Sequence, residues 1–86
     1  MGMVRGGDIM YNTNNIKGFN KIILNREMFL GFLQNFTDGI GLEAKESFEP
    51  LSVKFIKERG RKYLRFDYMM YGKREWLHVL GTKSWF

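Results

Sequence analysis

Two tight turns divide residues 51–80 into three runs of alternating apolar and polar side chains. This pattern constrains the fold more than any other feature of the sequence. Side chains of a half-buried strand alternate in this way, and a two-residue hairpin turn favours glycine, which tolerates positive φ. The predicted turns are Arg59-Gly60 and Gly72-Lys73. Because turns this short join antiparallel neighbours, the pattern predicts three antiparallel strands.

The register of these strands follows from the two turns. In the predicted pairing, Phe55 lies opposite Leu64 and Phe66 lies opposite Val79. The pairings bring one apolar set to a single face, the predicted core face: Leu51, Val53, Phe55, Leu64, Phe66, Tyr68, Leu77 and Val79. Turn chemistry and apolar pattern agree on this face. Such agreement supports the register, since a slip of one residue would turn these side chains to solvent.

An amphipathic helix is predicted before the sheet. Its apolar stripe recurs at spacings of three and four residues: Phe29, Phe32, Leu33, Phe36 and Ile40. Asn25 is the predicted N-cap, and Gly39 the predicted left-handed end of the helix. The β-branched run at 19–24 predicts a further strand at one sheet edge. The expected fold is α+β, in the order β-α-β-β-β, with one helix packed on an antiparallel sheet of three to four strands.

The chain of 86 residues has room for one domain. We predict a flexible N-terminal arm over 1–17 and a single α+β domain over 18–86. Because 44% of the residues are hydrophobic, the composition excludes disorder over most of the chain. The lack of cysteine and the single histidine exclude a disulfide scaffold and a zinc knuckle, so no metal site and no cofactor are expected.

No apolar run is long enough to span a membrane, and no secretion signal is recognisable, so we expect a cytoplasmic protein with no membrane partner.

The charge of the chain is uneven. Residues 26–50 carry a net charge of −3, from two basic and five acidic residues. Residues 51–86 carry +6, from nine basic and three acidic residues. A basic half of this kind favours a phosphate-bearing or acidic partner.

The second face of the predicted sheet, called the outer face below, combines large apolar and basic side chains: Ser52, Lys54, Ile56, Tyr63, Arg65, Asp67, Met69, Trp76, His78 and Leu80. A wet sheet face should be polar, so this composition predicts a contact surface. We expect a small basic protein-interaction module that self-associates as a homodimer or binds another protein as an inhibitor or adaptor would. Trp76 is the expected anchor, and the Trp85-Phe86 tail is an alternative cover for this face.

Binding of RNA or DNA is the alternative function. Tyr63 and Trp76 offer stacking surfaces for bases, and the basic residues beside them offer phosphate contacts. The predicted binding residues, shared by both functions, are Lys54, Arg59, Arg61, Lys62, Tyr63, Arg65, Lys73, Arg74, Trp76 and His78.

A ribonuclease is the second alternative, although the sequence favours binding over catalysis. In the predicted register Asp67 lies directly opposite His78, so the carboxylate could orient the imidazole for proton transfer. Arg65 lies one pair away and could stabilise charge on a phosphate. One helix followed by three strands with basic and aromatic side chains resembles the layout of the small toxin ribonucleases of toxin–antitoxin pairs.

Overall fold

A computed structural model describes residues 15–86 and has the predicted α+β architecture, a helix packed on an antiparallel sheet. The four strands follow one another as a meander in the order β1-β2-β3-β4. Their bounds and those of the helices are α1 Arg26–Gly39, α2 Leu42–Ser47, β1 Glu49–Glu58, β2 Arg61–Met70, β3 Lys73–Gly81 and β4 Ser84–Trp85. Within residues 15–86 no helix is long and apolar enough to cross a membrane. Most of the predicted arm, residues 1–14, lies outside the described residues.

The predicted edge strand at 19–24 is wrong. Phe19–Lys21 and Ile23–Asn25 are 3-10 turns. Phe19 and Ile22 are both buried and stand three residues apart. That spacing puts two side chains on one side of a 3-10 turn but on opposite sides of a strand, so the turn buries both. The fourth strand comes instead from the C-terminal tail, where β4 pairs with β3.

Helix α1 includes the predicted apolar stripe from Phe29 to Phe36 but not Ile40, and its ends differ from the prediction. Asn25 precedes the helix without a side-chain capping hydrogen bond, because its backbone, at φ −115° and ψ 8°, lacks the extended conformation of an N-cap residue. It closes a 3-10 turn instead, in which its N–H donates to the Ile22 carbonyl at 2.7 Å. Gly39 is not left-handed. The chain leaves α1 through Ile40 in an extended conformation, with φ −97° and ψ 151°.

The first hairpin has the predicted turn and register. Arg59 and Gly60 both have positive φ, 52° and 79°, as a type I′ turn requires. Phe55 pairs with Leu64 as expected. The register changes at a bulge between Pro50 and Ser52, so Leu51 does not lie opposite Tyr68. Pro50 takes that place and has no N–H to donate, and a strand interior tolerates proline at such a bulge.

The second turn is displaced by one residue from its predicted position. Tyr71 and Gly72 form it, with φ 54° and 76°, again the type I′ geometry. The pairing of β2 with β3 therefore shifts by two residues, and Phe66 lies opposite Leu77 rather than Val79. A shift of two leaves every side chain on its predicted face, because side chains alternate with a period of two.

The core lies between the core face of the sheet and α1. The Phe66 ring lies 5.3 Å from Phe29 and 5.5 Å from Phe32, edge to face. Of the predicted core, Leu33, Phe36, Val53, Leu64, Phe66 and Val79 are all buried. Phe55 is 47% exposed, and Leu51, next to the bulge, is half-buried. The N-terminal segment covers the edge strand β1 at Val53, where Gly18 packs against the Val53 carbonyl. Phe55 lies two residues farther along the strand, beyond this cover.

Candidate functional site

The outer face lies on the side of the sheet opposite α1. Strand alternation gives it the predicted side chains, and it remains partly open, since Trp76 is 51% and Leu80 49% exposed. The corrected register adds Arg74 next to Met69. Lys62 and Lys73 alternate to the other side of the sheet, so these two predicted binding residues are not part of the face.

His78 is the centre of an aromatic cluster on this face. Its ring centroid lies 4.3 Å from that of Tyr63, 5.0 Å from Trp76 and 4.7 Å from Phe86. Phe86 is held beside it by two backbone hydrogen bonds to His78, of 2.8 and 3.0 Å, although 65% of Phe86 is exposed. The Nδ1 atom of His78 is buried and has no hydrogen-bond partner among the described residues.

The tail divides between the two faces of the sheet. Trp85 packs against α1, 5.2 Å from Phe32, whereas Phe86 lies on the outer face against His78. The tail therefore covers the neighbourhood of His78 and leaves half of Trp76 open.

Asp67 and His78 do not form the predicted catalytic pair. The displaced second turn puts Trp76 opposite Asp67 and Arg65 opposite His78. Asp67 is instead held between two guanidinium groups, 3.1 Å from Arg65 Nε and 3.2 Å from Arg74 Nη2, and its side chain is 10% exposed. The two arginines therefore neutralise the charge of Asp67, and both of its carboxylate oxygens are in ion pairs.

Arg65 connects this ion pair to the aromatic cluster. Its guanidinium carbon lies 4.5 Å from the centroid of the Trp76 ring, within the range of a cation–π contact. The contact with Asp67 on one side and Trp76 on the other fixes the orientation of Arg65. A positive group is thereby presented next to an exposed aromatic ring.

A basic groove of about 670 Å³ runs along the β1 edge of the outer face. Its basic lining residues are Lys17, Lys21, Lys54, Arg65 and Arg74, and Asp67 is the carboxylate among them. No ion pair joins the three lysines to a carboxylate of residues 15–86. We call this cavity the basic groove.

Lys17 and Lys21 were missed by the sequence analysis. Lys17 reaches the groove because the chain before the 3-10 turns runs along β1 in a parallel bridge to Ser52. Its N–H donates to the Leu51 carbonyl at 3.0 Å, and its carbonyl accepts from Val53 at 2.9 Å. No local sequence pattern around Lys17 predicts this pairing, because the bridge joins a single pair of residues.

A second cavity, of about 750 Å³, opens at the first hairpin and is called the hairpin cavity below. It is lined by Glu58, Arg59, Arg61, Tyr63, His78 and Phe86. Tyr63 donates its hydroxyl to Glu58 Oε1 at 2.7 Å. This hydrogen bond is the main reason why the pKa of Tyr63 is raised above its ordinary value. Glu58 was not predicted, since a carboxylate at a strand end is a common surface residue. Phe86 was expected only as part of a tail that covers the outer face, and not as a binding residue.

Comparison with protein families, curated proteins and solved structures finds no match to this chain. The chemistry of the site is what bears on function, since a fold alone does not specify one. Within residues 15–86 no group of three or more potential metal ligands is brought together.

Proposed function

We propose that the protein binds single-stranded nucleic acid along its outer face. The backbone phosphates lie in the basic groove, and bases stack on the aromatic side chains beside it. The observation that carries the proposal is the adjacency of the basic groove to the exposed ring of Trp76, with Arg65 belonging to both.

The charge of the groove supports a polyanionic ligand. Lys17, Lys21 and Lys54 have no carboxylate partner in the described part of the chain, so their charges are available to phosphates. Each phosphate contact releases condensed counterions, which supplies affinity at low salt. Asp67 does not oppose this, because two arginines already neutralise it.

The exposed rings support a single strand rather than a duplex. Bases of a single strand can unstack and lie against side chains, whereas those of a duplex present only their edges. A stacked base contributes about 1–3 kcal/mol. Trp76, which is 51% exposed, is the main stacking residue, and Tyr63 and Phe86 continue the aromatic surface toward the hairpin cavity.

The same charge weighs against a symmetric dimer through this face. A two-fold axis would place the basic groove of one copy near that of the other, and like charges facing each other are costly. Contact with another protein is the second candidate function. It is favoured by the exposed apolar side chains of Leu80, Trp76 and Phe86, since aromatic residues at the centre of an interface often dominate its affinity.

The test measures binding of a fluorescent single-stranded oligonucleotide of about ten nucleotides by anisotropy. Reversal of Lys17, Lys21 and Lys54 to glutamate should abolish binding. Reversal of Lys57, Lys62 and Lys73 changes the net charge equally on the other side of the sheet, and should reduce affinity much less. Trp76→Ala should weaken binding at least about tenfold, or about 1.4 kcal/mol.

Equal losses in the two charge-reversal variants would refute a site in the groove and would indicate attraction by net charge alone. Affinity that does not change between about 50 mM and about 200 mM salt would also contradict the proposal, because phosphate contacts are salt-dependent. A dimer that dissociates on Trp76→Ala and binds no oligonucleotide would support the second candidate.

A further inference from the structure

We infer that the hairpin cavity is a ribonuclease site, in which Glu58 is the general base and His78 the general acid. The inference rests on the proposed function, because the substrate is the single strand bound on the outer face, and it identifies that strand as RNA. The site differs from the Asp67–His78 pair expected from the sequence.

The hairpin cavity is lined by the kinds of side chain that phosphodiester cleavage needs. It contains one carboxylate, the single histidine of the chain and two guanidinium groups. Tyr63 touches both reacting groups: its hydroxyl donates to Glu58 at 2.7 Å, and its ring lies 4.3 Å from that of His78. Tyr63 is thus a positioning residue that holds Glu58 and His78 at one cavity.

Glu58 is suited to accept a proton where Asp67 is not. Both oxygens of Asp67 are occupied by arginines, and the side chain is 10% exposed. Glu58 lies at the exposed end of β1, and its hydrogen bond from Tyr63 leaves carboxylate lone pairs free toward the cavity.

His78 has a buried ring nitrogen and a fixed ring orientation, independently of its place in the cavity. Its Nδ1 is buried without a hydrogen-bond partner in residues 15–86, and a buried polar atom of this kind calls for an explanation, of which a catalytic role is one. The rings of Tyr63, Trp76 and Phe86 surround the imidazole and fix its orientation. Nε2 is then the nitrogen that exchanges a proton with a ligand in the cavity.

The reaction is an intramolecular transesterification of RNA. Glu58 removes the proton of a ribose 2′-hydroxyl, and the 2′-oxygen forms a bond to the adjacent phosphorus. The bond from phosphorus to the 5′-oxygen breaks, and protonated His78 gives its proton to that oxygen. The products are a 2′,3′-cyclic phosphate and a 5′-hydroxyl end, with no change of oxidation state. Proton exchange with water restores both residues.

Arg59 and Arg61 stabilise the charge that develops on the phosphate oxygens during this step. Both line the cavity at the first hairpin turn. Positive groups placed where negative charge develops stabilise the transition state of such a step. Phe86, exposed on the same wall, offers a stacking surface for the base next to the scissile bond.

The experiment compares a fluorescent RNA oligonucleotide with DNA and 2′-O-methyl RNA of the same sequence. All three should bind, and only RNA should be cut, to a 2′,3′-cyclic phosphate end identified by mass spectrometry. Glu58→Gln and His78→Asn should each lower the cleavage rate of saturating RNA at least about 100-fold, with the amount of bound RNA measured by anisotropy in the same samples. Glu43→Gln, an exposed change on α2, is the control and should cleave like the wild type.

RNA that is bound but not cut would overturn this inference and leave the proposed function standing. Failure to bind any of the three oligonucleotides would overturn both. Cleavage that Glu58→Gln and His78→Asn retain would identify a contaminating nuclease and refute the assignment. Glu58→Gln keeps the hydrogen-bond acceptor for Tyr63 at an exposed site, so it tests the inference even if His78→Asn disturbs the aromatic cluster.

Discussion

Phe66 is the residue on which the core converges. It is fully buried in β2, and its ring lies within 5.5 Å of the centroids of Phe29, Phe32 and Tyr68. Aromatic side chains packed edge to face contribute beyond the area that they bury. In a domain of this size, the loss of one such side chain removes a large part of the total stability.

We expect Phe66→Ala to lower the free energy of unfolding by about 3–5 kcal/mol. Phe55→Ala is the matched control, because the same substitution on the same sheet face removes a side chain that is 47% exposed. Its cost should be much smaller. Urea denaturation of both variants measures the difference. Similar losses in the two would show that the core extends to the end of β1.

The two hairpin turns show how a local rule can select the wrong residue pair. Both observed turns are type I′, with two residues of positive φ and glycine second. Glycine in first position suits a type II′ turn, and that rule predicted the second turn one residue too late, at Gly72-Lys73. Tyr71 instead adopts φ 54°, a conformation that costs a side chain with a Cβ atom about 1–2 kcal/mol.

Tyr71→Asn should therefore stabilise the protein by about 0.5 kcal/mol, because asparagine tolerates the left-handed conformation better. Tyr71 is 63% exposed, so little packing is lost. Its backbone hydrogen bond to Ser47 is unaffected, since the N–H is the donor. Thermal unfolding measures the change. Lys73→Asn is the control and should bring no gain, and a larger gain there would support the turn at Gly72-Lys73.

The segment before α1 depends on one glycine. Gly18 has φ 87°, and a Cβ atom there would overlap the carbonyl oxygen of Val53. Glycine thus permits the close approach that pairs Lys17 with Ser52 and directs Lys17 and Lys21 into the basic groove.

Gly18→Ala should destabilise the protein by about 1–3 kcal/mol, because both the backbone angle and the contact with β1 become strained. It should also weaken oligonucleotide binding, since two lysines of the groove are displaced. Gly39→Ala is the control, because a Cβ atom there meets nothing within 4 Å. Stability and binding that both equal those of the wild type would contradict the pairing of this segment with β1.

At the scale of the whole molecule, the two ends of the described chain complete both the core and the candidate site. Ile16, at the start, is 3% exposed and belongs to the core. The tail packs Trp85 of β4 against α1, 5.2 Å from Phe32 and 5.9 Å from Phe36. The next residue, Phe86, turns to the outer face and packs on His78.

Substitutions in the tail should separate stability from function. Trp85→Ala should lower the free energy of unfolding by about 2–4 kcal/mol, because it opens the aromatic core beneath α1. Phe86→Ala should cost much less stability, since that side chain is 65% exposed, but should weaken oligonucleotide binding. Denaturation measures the stability of both variants, and anisotropy measures oligonucleotide binding on the same preparations. Equal stability losses in the two variants, with binding unchanged by Phe86→Ala, would refute this division of roles.

The sequence was most informative where a period repeats over several residues. The stripe from Phe29 to Phe36 predicted α1, and the alternation of β1, β2 and β3 predicted which side chains lie on which face. The predicted faces of the side chains are correct despite the error at the second turn, because a shift of two residues preserves alternation. Tyr63, Arg65, Trp76 and His78 therefore share the outer face, as predicted.

Only the tertiary structure shows the contacts between segments that have no repeating pattern of apolar residues. The pairing of Lys17 with β1, the insertion of Trp85 beneath α1 and the cavity shared by Glu58 and His78 each join residues far apart in the chain. A repeated period is a property of neighbouring residues and can be read locally. Such long-range contacts depend on how the packed elements approach one another, so the sequence alone predicted the faces and the structure selected the partners.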